Sequence, residues 1–186
     1  MTPHQRLVEM LATRSARRGT FTLSSGRLSD LYIDARLTTM SPDGLATIGP
    51  IALGAMRDAR WNADAVGGLT LGADPVAAAI AYASALAGTP IRAFSVRKQA
   101  KSHGTGKLIE GPFRAGDRVV IVEDTITTGA SALLAVDAVR AAGGTVLGVL
   151  ALVDREEGGT EALRAAGLWV VPLVRAAEVV ARMSAD

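Results

Sequence analysis

The chain has 186 residues, 49% of them hydrophobic but only 4% aromatic, a formal net charge of +2 and no cysteine. That length is of single-domain size and can enclose a full core, built here from Ala, Val, Leu and Ile, which suits a buried parallel sheet under small-residue helices. The missing cysteines exclude disulfides, thiolate catalysis and cysteine metal sites and fit a reducing cytoplasm, and two histidines, His4 and His103, are too few for a multi-histidine metal site. The small charge gives no argument for nucleic acid, no run of about 18 apolar residues could span a membrane, and the charged N-terminal stretch is not a secretory signal.

In chain order, an amphipathic helix comes first, with Leu7, Val8, Leu11 and Ala12 on one face, interrupted at Gly19. A strand at Thr20–Leu23, a turn at Ser24-Ser25-Gly26 and a second strand at Leu31–Asp34 form a small extra subdomain. Ser41-Pro42-Asp43 is a helix start, a serine cap followed by a proline whose missing N–H costs nothing there, and that helix runs to about Arg60. Strands at Ala65–Leu69, Ile91–Val96, Arg118–Val122, Val146–Val153 and Trp169–Leu173 then alternate with helices at Asp74–Ala87, Gly129–Ala142 and Thr160–Ala166, with a short one after Arg175. This alternation predicts an α/β fold with a parallel, doubly wound sheet and ligands at the carboxyl ends of its strands.

The most informative segment is Val119 to Ser131. A β-branched run, Val119-Val120-Ile121-Val122, ends in two acids, Glu123 and Asp124, before the turn Thr125-Ile126-Thr127-Thr128-Gly129 and a helix from near Ala130. A helix N-terminus with free turn amides and threonine and serine hydroxyls is an anion site. Gly129 permits close approach of backbone to phosphate, and the paired carboxylates can accept from two ribose hydroxyls or lie near a hydrated Mg²⁺. No G-K-[ST] follows, so this is not a Walker loop. A second segment, Arg97 to Lys107, holds two glycines and several cations without apolar periodicity, which describes a mobile, solvated loop suited to ordering against a polyanion such as diphosphate.

The Val119–Ser131 segment resembles the signature of the type I phosphoribosyltransferases, which use phosphoribosyl diphosphate (PRPP). Arg97-Lys98, Lys101 and His103-Gly104 reproduce R-K-x-x-K-x-H-G, similar to the catalytic loop of the orotate-specific members and not usual in purine-specific ones. Phe21 to Gly26 with Ser29, Tyr32 and Asp34 resembles their N-terminal substrate loop, Asp154 to Gly159 their D-R-x-E-G-G segment, and Gly67 to Pro75 their diphosphate loop. Two departures stand out: Ser24, and the Gly67–Pro75 stretch, carry no lysine where some members do.

The resemblance implies one phosphoribosyltransferase domain over 1–186, with about 1–40 as an N-terminal hood. It implies transfer of ribose 5-phosphate from PRPP to orotate, through an oxocarbenium-like state. Lys101, His103 and Asp124 are then the catalytic residues, His103 either donating a proton or supplying charge. Arg97, Lys98, Lys101, His103, Glu123, Asp124, Thr125, Ile126, Thr127, Thr128, Gly129, Ala130 and Ser131 bind PRPP, and Thr127, Arg155, Tyr32 and Ile33 bind orotate. Mg²⁺ is held mainly by PRPP and water, with no direct protein ligand assigned. A cytoplasmic homodimer with shared active sites is implied as well, without nucleic acid or membrane partners. A regulator that only senses PRPP would need an added DNA-binding domain or a broad basic surface, and the chain has neither.

Overall fold

The computed structural model describes residues 1–22, 28–99 and 108–183. Helix α1 (Pro3–Met10) begins at a reciprocal cap: the Gln5 amide donates to the Thr2 hydroxyl at 3.1 Å and the Thr2 amide to the Gln5 side chain at 2.8 Å. A π-helical turn (Leu11–Ser15) continues it, and Leu7, Val8, Leu11 and Ala12 are all buried, as their spacing predicts. Gly19 does not end this helix. The chain is already extended at Ala16, and β1 (Ala16–Thr22) pairs antiparallel with β2 (Leu28–Ile33), with a register irregularity between Arg18 and Phe21. The cause is long-range: Ala16, Arg17 and Arg18 lie opposite Ile33, Tyr32 and Leu31, a pairing that local periodicity cannot register.

These two strands form a sheet of their own beside the main one. A single-turn helix, α2 (Arg36–Thr39), links them to α3 (Pro42–Asp58), which starts where the Ser-Pro-Asp signal places it, the Gly44 amide donating to Ser41 Oγ at 3.2 Å. Arg14 fastens the π-helical turn to the start of α3 through two bonds to Asp43, at 2.8 and 2.7 Å.

The main sheet contains β3 (Ala65–Leu69), β4 (Arg92–Val96), β5 (Ile109–Glu110), β6 (Arg118–Ile126), β7 (Thr145–Asp154) and β8 (Val170–Arg175) in the order β5-β4-β3-β6-β7-β8. All are parallel except β5, a two-residue edge strand antiparallel to β4 that no periodicity foretold. Helices α4 (Ala73–Leu86), α5 (Ala130–Ala141), α6 (Gly159–Ala165) and α7 (Ala176–Arg182) complete the chain, so the α/β, doubly wound expectation holds. Along β6 the buried side chains alternate between two cores. Val120 and Val122 join Ile48, Ala52 and Met56 of α3, while Val119 and Ile121 join Val136 and Val139 of α5, which is why the run is apolar at every position.

The strand order reverses between β3 and β6, so their carboxyl ends open a crevice. At the opposite, amino end of the sheet Trp61 and Trp169, just before β3 and β8, meet edge to face with centroids 5.7 Å apart. No helix among the described residues is long and apolar enough to cross a membrane.

Candidate active site

The crevice at the β3/β6 switch is a cavity of about 580 Å³. Its floor is the end of β3 and the turn after it, Leu69-Thr70-Leu71-Gly72, facing Glu123, Asp124 and Thr125 at the end of β6. Tyr32 and Ile33 of β2, with Asp34, Ala35 and Arg36, close one side, and Lys98 and Ser131 complete the lining. The two acids do not follow the strand, as expected from sequence, but ride on it. β6 runs on to Ile126 because its ladder with β7 extends to the Ile126–Asp154 pair.

Glu123 is 7% exposed, and its Oε2 is buried with no hydrogen-bond partner among the described residues. Burial, and then the neighbouring Asp124 charge, push its carboxyl up to about 8. Burial raises Asp124 too, against the Thr125 amide, which donates to its Oδ1 at 2.8 Å, and the Arg36 charge. Gly72 is the close neighbour of that carboxylate: a Cβ there would lie 2.5 Å from Asp124 Cγ and 2.6 Å from both oxygens. A pair of costly acids aimed into a crevice is poised to receive hydroxyls or a cation.

The turn between β6 and α5 holds the remaining candidates. Ile126 is fully buried in the core, which leaves only its backbone for any ligand. Thr127 and Thr128 span the turn, with the Ala130 amide 3.4 Å from Thr128 Oγ1, and Gly129 has φ +81°, a left-handed turn that opens α5 and that a Cβ would bring against Leu163. With the Ala130 amide turned to Thr128 and the Leu133 amide to the Gly129 carbonyl, the amides of Ser131 and Ala132 are the ones left at the start of α5 for an anion.

Arg155 lines a neighbouring cavity with Leu28, Ser29, Asp30, Leu31 and Glu157 rather than the main one. Its Nη2 donates to the Leu31 carbonyl at 2.7 Å, Glu157 Oε1 at 2.8 Å and Ser29 Oγ at 3.1 Å, while its buried Nε has no partner among the described residues. It thus joins the end of β7 to the hood. Arg97 faces Glu110 of β5 at 3.6 Å. Lys101 and His103, like Leu23 to Gly26, lie outside the described residues. Arg36 is the lining cation that the sequence motifs did not single out; a lone arginine opening a one-turn helix carries no periodic signal.

Residues 40–165 match the family model described as a phosphoribosyl transferase domain. The chain belongs to the phosphoribosyltransferase family. Among curated members it is 47% identical over 177 residues to the orotate phosphoribosyltransferase of Rhodopseudomonas palustris (strain BisB18), covering 93% of this chain and 94% of that one. It is 51% identical over 162 residues to that of Mycobacterium leprae (strain TN), covering 87% and 88%. The Mycobacterium tuberculosis H37Rv orotate phosphoribosyltransferase solved in complex with PRPP superposes with a TM-score of 0.82 at 44% identity, over 96% of this chain and 99% of that one. The type I fold expected from the motifs is the fold observed.

Proposed function

We propose that the chain transfers ribose 5-phosphate from PRPP to N1 of orotate, releasing diphosphate and orotidine 5′-phosphate, a step of pyrimidine biosynthesis. The observation that carries this reading is Glu123 and Asp124 on the end of β6, facing the Leu69–Gly72 backbone across one crevice that Tyr32 and Ile33 roof. It stands in a chain about half identical to orotate phosphoribosyltransferases along most of its length.

In this reading the Thr127–Ser131 turn and the first amides of α5 hold the 5′-phosphate. Glu123 and Asp124 accept from the ribose hydroxyls. The Asp124 carboxylate lies where the sugar ring becomes cationic as the bond from C1 to the diphosphate oxygen breaks and the bond from C1 to orotate N1 forms, while Glu123, protonated up to about 8, serves the ribose hydroxyls without a charge. The proton of N1 passes to water or to the departing diphosphate. Arg155, whose Nη1 makes no hydrogen bond among the described residues, takes the orotate carboxylate, and Tyr32, Ile33 and Thr127 position the pyrimidine. Lys98 and Arg97, with Lys101 and His103 beyond the described residues, meet the departing diphosphate. The hard carboxylate oxygens of Asp124 in the crevice lining fit a magnesium ion held through water and the donor's phosphates. When bound, the ion neutralises charge on the diphosphate.

The chain works as one domain over 1–186, residues 1–40 forming the hood, in the cytoplasm and as a homodimer whose 97–107 segments complete the partner's site. Mixing the purified protein with orotate, PRPP and Mg²⁺ and following the loss of orotate absorbance tests the reaction. Metal-dependent loss, cut at least about a hundredfold by Lys101→Ala, is expected. Turnover of a purine base with none of orotate overturns the substrate, and PRPP binding without turnover of any base overturns the enzyme.

A further inference from the structure

The described lining of the main crevice carries three acids, Asp34, Glu123 and Asp124, against two cations, Lys98 and Arg36, and the turn Thr70-Leu71-Gly72 adds none. A donor with a diphosphate and a phosphate brings several negative charges into this space. Arg36 is the only described cation that reaches it from the hood side. Its side chain is 49% exposed, so it is neither a core residue nor spent in packing.

Its orientation is fixed by a neighbour. Asp34 accepts from Arg36 Nε at 2.8 Å and Nη2 at 3.0 Å, and also from the Arg36 amide at 3.2 Å. A side-on pairing of this kind occupies one edge of the planar guanidinium and leaves Nη1 uncommitted among the described residues. The pair is not isolated from the acids across the crevice, since the Arg36 charge lowers Asp124 and the Asp124 charge raises Arg36. As a surface ion pair alone, two residues apart and half in water, Asp34 and Arg36 would add little to the fold. As a device that aims a guanidinium into a site for polyanions, the same geometry has a purpose.

Resting on the PRPP reading above, we infer that Arg36 is a binding residue for the diphosphate group of the donor, and that Asp34 is the positioning residue that holds its guanidinium toward the crevice. The fork of an arginine suits two phosphate oxygens at once, a geometry that lysine does not offer.

The test compares wild type with Arg36→Ala, Arg36→Lys and Asp34→Asn, measuring binding of inorganic diphosphate and of ribose 5-phosphate separately, with the KM for PRPP and for orotate. Arg36→Ala is expected to weaken diphosphate binding and raise the PRPP KM about tenfold or more. Ribose 5-phosphate binding and the orotate KM should stay within about twofold, a change of under half a kcal/mol. Arg36→Lys should recover part of the loss. Asp34→Asn should move the same two quantities in the same direction by less, which a merely structural role would not do selectively. A wild type that binds PRPP, paired with an Arg36→Ala variant of unchanged diphosphate affinity, overturns the assignment alone. Equal losses for both probes also overturn it. A wild type that binds neither probe nor PRPP sinks the donor reading and this inference together.

Discussion

Glu123 sits at the end of an apolar strand where water cannot reach one of its oxygens and a second acid follows directly. Its folded carboxyl holds a proton up to about pH 8, whereas the unfolded chain releases it near 4.5. A group raised in this way lends stability that is complete below about 4.5 and is lost as the pH rises through about 8. Glu123→Gln keeps the shape and removes the titration. Each pH unit that separates the folded from the unfolded value is worth roughly 1.4 kcal/mol, and each kcal/mol about 2–4 °C of melting temperature. The variant should therefore melt at least about 5 °C above wild type at pH 9 and within about 2 °C of it at pH 5. Thermal denaturation across that range reads the difference, and a gap that does not grow with pH would refute the buried-proton account. The same substitution should cost activity above about pH 8, where the wild-type carboxylate carries a charge that an amide cannot supply. Stability and function pull against each other at this position.

At the level of elements, β3 and β6 must bring a backbone turn and a carboxylate close together, and Gly72 is where they touch. Gly72→Ala places a methyl carbon inside contact distance of the Asp124 carboxylate, so either the turn or the acid must move. Activity should fall at least about tenfold, the cost of misplacing one catalytic group, while far-UV circular dichroism stays unchanged because Gly72 lies outside the strand ladder. An active Gly72→Ala variant would mean that Asp124 need not stay where it is. How much of the fold and site is legible in the residues alone follows element length and range. The Val119–Val122 run, the Ser41 cap and the strand–helix alternation are local signals, and they lead to the right sheet and bring Glu123, Asp124, Tyr32, Ile33, Lys98 and Ser131 to one crevice. β5 and α2 are too short to show a period. The start of β1 at Ala16 is set by partners some fifteen residues away, and the continuation of β6 past its acids by the length of β7. Arg36 escapes notice for the same reason as α2, and the motif around Arg155 points to a substrate group without revealing its second task of joining β7 to the hood.

For the whole molecule, the proposed homodimer makes each site depend on two chains. Leu37 on α2, Met40 just after it and Leu71 in the turn after β3 are 50%, 67% and 71% exposed, apolar surface that a second copy would cover. If the 97–107 segment of one subunit serves the other, Lys101→Ala and Asp124→Asn chains, each nearly inactive alone, should complement when unfolded together and refolded. Half of the randomly paired dimers would then hold one intact site of two, restoring about a quarter of wild-type activity. A mixture as inactive as its components would place the segment in its own subunit's site.

The two tryptophans are the only ones in the chain, and both stand at the amino end of the sheet, one edge against the other, across the full strand length from the crevice. The chain therefore carries its own optical label at the pole remote from the chemistry. Emission from Trp61 and Trp169 follows the integrity of the sheet where β3 and β8 begin, while orotate's absorbance follows the chemistry at the other end. Loss of fold and loss of turnover can thus be watched in one cuvette on separate channels, and a variant that is merely inactive need never be mistaken for one that has come apart.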